Sequence, residues 1–228
     1  MIDILFKSQK YLQNFPIDIS EILDQSAKNL CMDYQNLTVT GVVDTFENGL
    51  DFIENYDDKP NLITFLGSSF GNFDQSEGML FLQKINTLMK SDDLFLIGLD
   101  LKKDSSVLHN AYNDTQNTTA KFNLNVLKRI NEELGGNFKL ENFEHHAVYN
   151  EEKGRIEMYL RSLSEQSVKI QKSDLSITLS QDELIHTENS HKFSINQIES
   201  SLENSNFEKL EIWFDSRKYF ALVLAKKI

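Results

Sequence analysis

Residues 186–193, HTENSHKF, hold the densest set of side chains with chemical reach. Glu188 and Ser190 stand two apart, so in an extended segment they point the same way and can grip one polar ring between a carboxylate and a hydroxyl. A solvated loop is the plainer account of the same residues. His186 and His191, like His145 and His146 in EHH, invite a metal. Neither pair has a recognised ligand spacing with a third donor, and open polar loops often carry histidines, so no metal is expected. Three acids stand where apolar runs end. Asp18 follows NFPI, and a carboxylate outside the carboxyl end of a strand can accept ribose hydroxyls or simply neighbour a helix cap. Asp44 or Thr45, with Phe46, closes LTVTGVV and could hold an adenine or form a plain turn. Asp100 after LFLIGL is either a ligand contact or the start of a loop. The stretch FLGSSFGNF (65–73) has two glycines four apart, but neither the G-x-G-x-x-G fingerprint nor the Lys-Ser/Thr of a phosphate loop. There is no Gly-x-Ser-x-Gly elbow, and the lone Cys31 falls on an apolar helical stripe, so no covalent nucleophile is expected.

The elements that must position these residues follow from periodicity. NFPIDI (13–18) reads as a strand, and Ile22, Leu23, Ala27, Leu30, Cys31 and Tyr34 then share one helical stripe. LTVTGVVDTF (37–46) and NLITFLG (61–67) read as further strands. Asp74 with Glu77 three residues on forms a capping-box start, continued by Met79, Leu82, Ile85 and Met89. LFLIGLD (94–100) is apolar on both faces, as a central parallel strand requires. This alternation predicts an α/β fold with a parallel sheet. Residues 105–118 are polar and rich in Asn and Thr. A helix is expected at about 119–134, ended by Gly135 and Gly136. RIEMYLRS, QSVKIQ and LSITL, within 155–180, alternate as antiparallel strands. Residues 194–204 read as helix, and EKLEIWFD and YFALVLAKK as a closing hairpin. The expected organisation is a core of residues 1–102 and 193–228 with a substrate-binding subdomain, 103–192, inserted into it.

Composition narrows the partners. The 228 residues hold 23 Lys and Arg against 35 Asp and Glu, a net charge of −12 spread along the chain, and 40% are apolar. Such a chain can bury a core, but it repels a nucleic-acid backbone and an anionic membrane surface, so neither is expected as a partner. One cysteine excludes an internal disulfide or thiolate zinc site and fits a reducing compartment. No apolar run approaches membrane-spanning length, and the apolar part of MIDILFKSQK is short for a secretory signal. The expected setting is cytoplasmic and the expected state a monomer.

FLGSSFGN, GLDLKKD, AYNDTQNTTAKFNLNVL, RIEMYL and IHTENSHKF, in this order, resemble the histidine Nα-methyltransferases of ergothioneine biosynthesis from about residue 12 to the C-terminus. The resemblance implies a Rossmann-like class I methyltransferase sheet, S-adenosylmethionine as cofactor, and L-histidine as a small-molecule substrate converted to its trimethyl betaine. It implies that Asp18 binds the adenosyl ribose and that Thr45 and Phe46 lie at the adenine. Asn72 would orient the amino group, Tyr112 the carboxylate, and Glu188, Asn189 and Ser190 would hold the imidazole with Met158 packed beside it. Gly67 and Gly71 would let backbone approach the ligands. Where the family has Asp-Phe at the adenine, this chain has Thr45-Phe46 with Asp44 one position earlier. The family's first strand and glycine-rich cofactor loop would fall before Met1. The resemblance therefore leaves three accounts: a start placed too late, a segment supplied in trans by a separate chain, or an inactive remnant that serves as a binding module. Relatives acting on a thiol-histidine or a prenylated tryptophan share the fold.

Overall fold

The computed structural model describes residues 1–54, 56 and 59–228. Helix α1 (Ile2–Leu5) leads to strands β1 (Leu12–Asn14) and β2 (Ile17–Asp18), helix α2 (Ile22–Asp33), strands β3 (Leu37–Val39) and β4 (Val42–Val43), and helix α3 (Phe46–Glu54). The single strand expected over 13–18 is therefore two pieces. Pro16 has no N–H to give a ladder, although its carbonyl accepts from the Val42 N–H at 2.9 Å. The strand expected over 37–46 likewise breaks at Thr40 and Gly41, and Phe46 is already helical. On α2 the inward stripe is narrower than expected. Leu23 is buried and Ala27, Leu30 and Tyr34 are partly covered, whereas Ile22 and Cys31 are exposed.

Next come β5 (Leu62–Phe65), α4 (Gln75–Leu88) and β6 (Leu94–Asp100). The capping box at the start of α4 forms as expected: Asp74 Oδ1 accepts from the Glu77 N–H at 2.8 Å and Glu77 Oε2 from the Asp74 N–H at 2.9 Å. Helices α5 (Ser105–Tyr112) and α6 (Thr118–Leu134) follow, with α6 stopped by Gly135 at φ +67°. Then come β7 (Phe143–Asn150), β8 (Arg155–Ser162), β9 (Gln166–Ile170), β10 (Leu175–Leu179), β11 (Leu184–His191), α7 (Ile195–Glu203), β12 (Phe207–Phe214) and β13 (Phe220–Lys227).

The central sheet runs β12-β13-β6-β5, parallel between β5 and β6 and antiparallel at the other two joints. It is α/β as expected, but mixed rather than purely parallel. Its core joins Phe95, Ile97 and Leu99 of β6 to Leu82 and Ile85 of α4 and to Ile198 of α7. Beside it, β1 pairs with β3 and β2 with β4, both parallel. The far edges of β5 and of β1 and β2 carry no ladder among the described residues. This explains why β6 is buried almost throughout while Leu62 and Thr64 of β5 are exposed.

Residues 103–192 build a second sheet, β11-β8-β7, all antiparallel, with the β9-β10 hairpin beside it. Leu127 of α6 packs on Phe143, Leu160 and Val168, and Leu108 of α5 on Ala147, Ile156 and Met158. The segment leaves and returns at one place: Leu101 bridges Phe193, and the Phe193 N–H donates to the Asp100 carbonyl at 2.9 Å. Among the described residues no helix is long and apolar enough to cross a membrane.

Candidate functional site

β11 places Glu188 and Ser190, expected from the sequence to grip a polar ring, on one strand. Glu188 lies opposite Met158 and Ser190 opposite Ile156, and the one register irregularity falls upstream, between His186 and Glu188. Glu188, Ser190 and Lys192 therefore project to one side, as strand alternation requires. That side is covered by α5, which delivers Tyr112. The Tyr112 hydroxyl donates to Ser190 Oγ at 2.8 Å. Lys192, 2% exposed, donates to Ser190 Oγ at 2.7 Å and to the Tyr112 hydroxyl at 3.0 Å, and pairs with Asp100 Oδ2 at 2.9 Å. Lys103 occupies the other Asp100 oxygen. Asp100 is therefore neither a free ligand contact nor a plain loop start; it anchors a buried cation at the carboxyl end of β6. Glu188 is half-buried and makes no hydrogen bond among the described residues. Burial raises its carboxyl pKa, and the nearby Lys192 charge pulls it back.

The other expected substrate residues are placed differently. Asn189 alternates away and its Oδ1 meets His186 Nε2 at 2.9 Å. Met158 is 2% exposed and packs with Leu108 and Tyr112. Asn72 ends a 3-10 turn (Ser69–Asn72), and its exposed side chain makes no hydrogen bond among the described residues. Gly71 presses that turn onto β11: a Cβ there would lie 2.9 Å from the His191 carbonyl oxygen. Its close approach in the folded chain is to the strand backbone at His191. Gly67, at φ +93° with nothing within 4 Å of a Cβ, supplies the bend. His145 is spoken for, with Nε2 2.9 Å from the Tyr112 carbonyl and Nδ1 3.0 Å from Asn123 Nδ2. It steadies the end of α5. Among the described residues no three His, Cys, Asp or Glu side chains gather as a metal site. Sequence reasoning missed Lys192. Its place two residues after Ser190 in an alternating strand was the available signal, but nothing local marks it as buried.

A cavity of about 1090 Å³ opens between β1 and β2 on one side and β5 on the other, lined by Leu12, Ile17, Phe46, Leu62, Phe65 and Phe81 among others. Asp18 and Phe46 both face it; Thr45 does not line it. Asp18 Oδ1 accepts from the Ser20 N–H at 2.8 Å, a local turn ahead of α2 rather than a cap on it, which leaves its second oxygen without a described partner. Phe46 sets its ring edge-on to Phe65 and Phe81. Asp44 is used locally, accepting from the Thr45 N–H and Asn48 Nδ2, bonds that hold its pKa low. An open carboxylate oxygen and a partly exposed aromatic ring in one cleft fit the ribose and base of an adenosyl group.

A cleft that runs between the facing edges of β1 and β2 and of β5, in a molecule that also carries a polar cluster on an inserted sheet, is the arrangement of an α/β protein with room for a nucleoside cofactor. Within that class, the chain belongs to the histidine-specific, S-adenosylmethionine-dependent methyltransferase family, whose model matches residues 1–227. It is 31% identical over 226 residues to the histidine N-alpha-methyltransferase of Mycolicibacterium smegmatis, covering 99% of this chain and 70% of that one. To the enzyme of the same name from Mycobacterium tuberculosis it is 34% identical over 213 residues, covering 93% and 65%. Ergothioneine biosynthesis protein 1 of Schizosaccharomyces pombe is 29% identical over 180 residues, 77% of this chain and 23% of that protein. The chain thus spans about two thirds of the mycobacterial relatives' length and about a quarter of the fission-yeast protein's.

Proposed function

We propose that the chain carries the histidine-binding part of an S-adenosylmethionine-dependent Nα-methyltransferase that converts L-histidine to its trimethyl betaine in ergothioneine biosynthesis. The observation that carries the reading is the pairing on β11. Glu188 offers an unoccupied carboxylate and Ser190 a hydroxyl on the same side of the strand, which suits the donor and acceptor nitrogens of a neutral imidazole. Asn72, free on a turn clamped against that strand, would orient the α-amino group, and Met158 would floor the ring. Asp18 and Phe46 would hold the adenosyl part, with Thr45 at the adenine's margin. S-adenosylmethionine, when bound, supplies an electrophilic methyl for in-line displacement. What this chain's residues contribute is placement of a deprotonated amine lone pair and exclusion of other orientations. No side chain acts as covalent nucleophile, and the amine's protons pass to water or a nearby acceptor.

The two open backbone edges facing the cleft favour an active form in which one further strand, ending in a glycine-rich turn, lies between β2 and β5. A separate chain or a segment outside residues 1–228 would supply it. Without that strand the chain is a binding module that holds histidine and grips the cofactor poorly. We further take it to be a cytoplasmic monomer, consistent with its single cysteine and acidic charge. Calorimetry with L-histidine, S-adenosylmethionine and both, followed by mass spectrometry of the product, tests the reading. Histidine should bind, and methylated histidine should form at least when the strand segment is restored. Failure of L-histidine to bind under every condition refutes it.

A further inference from the structure

We propose that Lys192 is a positioning residue for the substrate's carboxylate: its buried ammonium, acting through the Tyr112 hydroxyl, makes the site select an α-amino acid over the corresponding amine. The inference rests on the histidine-binding reading above, with Tyr112 at the substrate carboxylate, and supplies the charge that holds that carboxylate.

An ammonium can only donate. The hydrogens of Lys192 go to Ser190 Oγ at 2.7 Å, to the Tyr112 oxygen at 3.0 Å and to Asp100 Oδ2 at 2.9 Å, and its side chain is 1% exposed. Both hydroxyl oxygens therefore receive from a cation, and this holds for either sense of the 2.8 Å bond between them. The charge around Lys192 does not balance. Asp100 is a single carboxylate shared by two ammonium groups, since Lys103 takes its other oxygen. Glu188 feels the Lys192 charge but makes no ion pair with it among the described residues. A buried cation that is only partly compensated is costly and draws an anion. The way to it leads over Tyr112, which is half-buried at the end of α5, whereas Ser190 is buried. Both ends of this relay are fixed: the Lys192 N–H donates to the Gly154 carbonyl at 2.9 Å, and the Tyr112 carbonyl lies 2.9 Å from His145 Nε2. A carboxylate hydrogen-bonded to the Tyr112 hydroxyl lies within about 6 Å of the ammonium, close enough for opposite charges to attract appreciably where water is excluded. The bond from Lys192 also polarises the phenol into a better donor. An amine without the carboxylate gives this charge nothing to hold.

The probes are L-histidine and histamine, which share the ring and the amine and differ in the carboxylate. Affinities are measured by calorimetry at about pH 7.5, where the free imidazole is mostly neutral, with histamine followed by its displacement of bound L-histidine. The wild type should favour histidine by roughly tenfold or more, the value of a charge-assisted hydrogen bond. Lys192→Met leaves Asp100 paired with Lys103 and should shrink this ratio roughly five- to tenfold. Any effect of the substitution on Glu188 is felt by both ligands through their common ring and cancels in the ratio. In a Tyr112→Phe background, which removes the relay, Lys192→Met should alter the ratio by less than about twofold. Asp100→Asn keeps an acceptor for Lys192 but takes away the competing anion, so it should raise the ratio, and it tests the proposal even if Lys192→Met fails to fold. A merely structural Lys192 would move both ligands alike. Equal weakening of both by Lys192→Met, a ratio that does not rise in Asp100→Asn, or a wild type that binds the two equally overturns the proposal while leaving histidine binding intact. A wild type that binds no histidine overturns the functional reading and this inference together.

Discussion

Glu188→Gln should move ligand affinity and stability in opposite directions. The side chain keeps its shape and an acceptor oxygen but loses its charge. A hydrogen bond to a charged acceptor contributes about 1.5–3 kcal/mol and a neutral one about 0.5–1.5. The loss is therefore about 1–1.5 kcal/mol, close to tenfold in the dissociation constant of L-histidine. Cofactor affinity should stay within about twofold, since Asp18 and Phe46 lie in a different cleft. The ligand-free protein should respond in the reverse sense. Glu188 is desolvated, has no hydrogen bond to lose, and has its pKa raised by burial, with Lys192 only partly compensating. A carboxyl whose folded pKa is raised favours the protonated form, so the wild type loses stability as pH climbs through that raised value. The Glu188→Gln variant carries no such dependence. Melting temperatures of the two should coincide at acid pH, and at neutral pH the variant should melt higher. Calorimetric titration and a melting series across pH measure both. If Glu188→Gln melts lower than wild type at neutral pH while binding histidine unchanged, the residue is structural and the ring-grip argument fails.

Two further outcomes follow from other parts of the molecule. Burial works against ionisation of Glu157, but the Arg155 guanidinium and the Tyr159 hydroxyl hold its pKa down at about 2. Its contribution to stability is therefore complete above about pH 4.5 and lost as pH falls toward 2, and Glu157→Gln should flatten that part of an acid-unfolding curve. Gly98 sits in β6 where a Cβ would lie 2.7 Å from the Phe220 ring, so Gly98→Val should cost about 1–3 kcal/mol by overpacking, read as a lowered denaturant midpoint with an unchanged slope.

How much the sequence revealed depended on whether the signal was local. The Asp74–Glu77 box, the Gly135 stop after α6 and the apolar run of β6 are statements about neighbouring residues, and all three stand where periodicity and capping put them. Helix α5 was not foreseen inside the polar stretch 105–118. Only Leu108 of its residues is buried, and its start depends on Asp104 accepting from the Ser106 N–H. β7 was likewise overlooked, since its paired histidines drew attention as metal candidates while their backbone was forming a ladder with β8. At the site, the same-side placement of Glu188 and Ser190 was legible from alternation alone. The closure of Lys192 on Asp100 and Tyr112 was not, because it joins residues 80 or more positions apart through burial that no local pattern encodes.

The pairing of β6 with β13 also governs how the protein is made. Leu94–Asp100 finds its antiparallel partner only in Phe220–Lys227, at the far end of the chain. During synthesis, this largely buried strand leaves the ribosome with β5 as its available neighbour and must wait for more than half of the polypeptide before its second edge is covered. The inserted sheet, whose strand pairings are all internal to residues 103–192, can settle in that interval. Production of the protein should therefore be limited by the exposure of this one strand, and holdase chaperones that shield it should raise the yield of folded chain more than lower temperature alone.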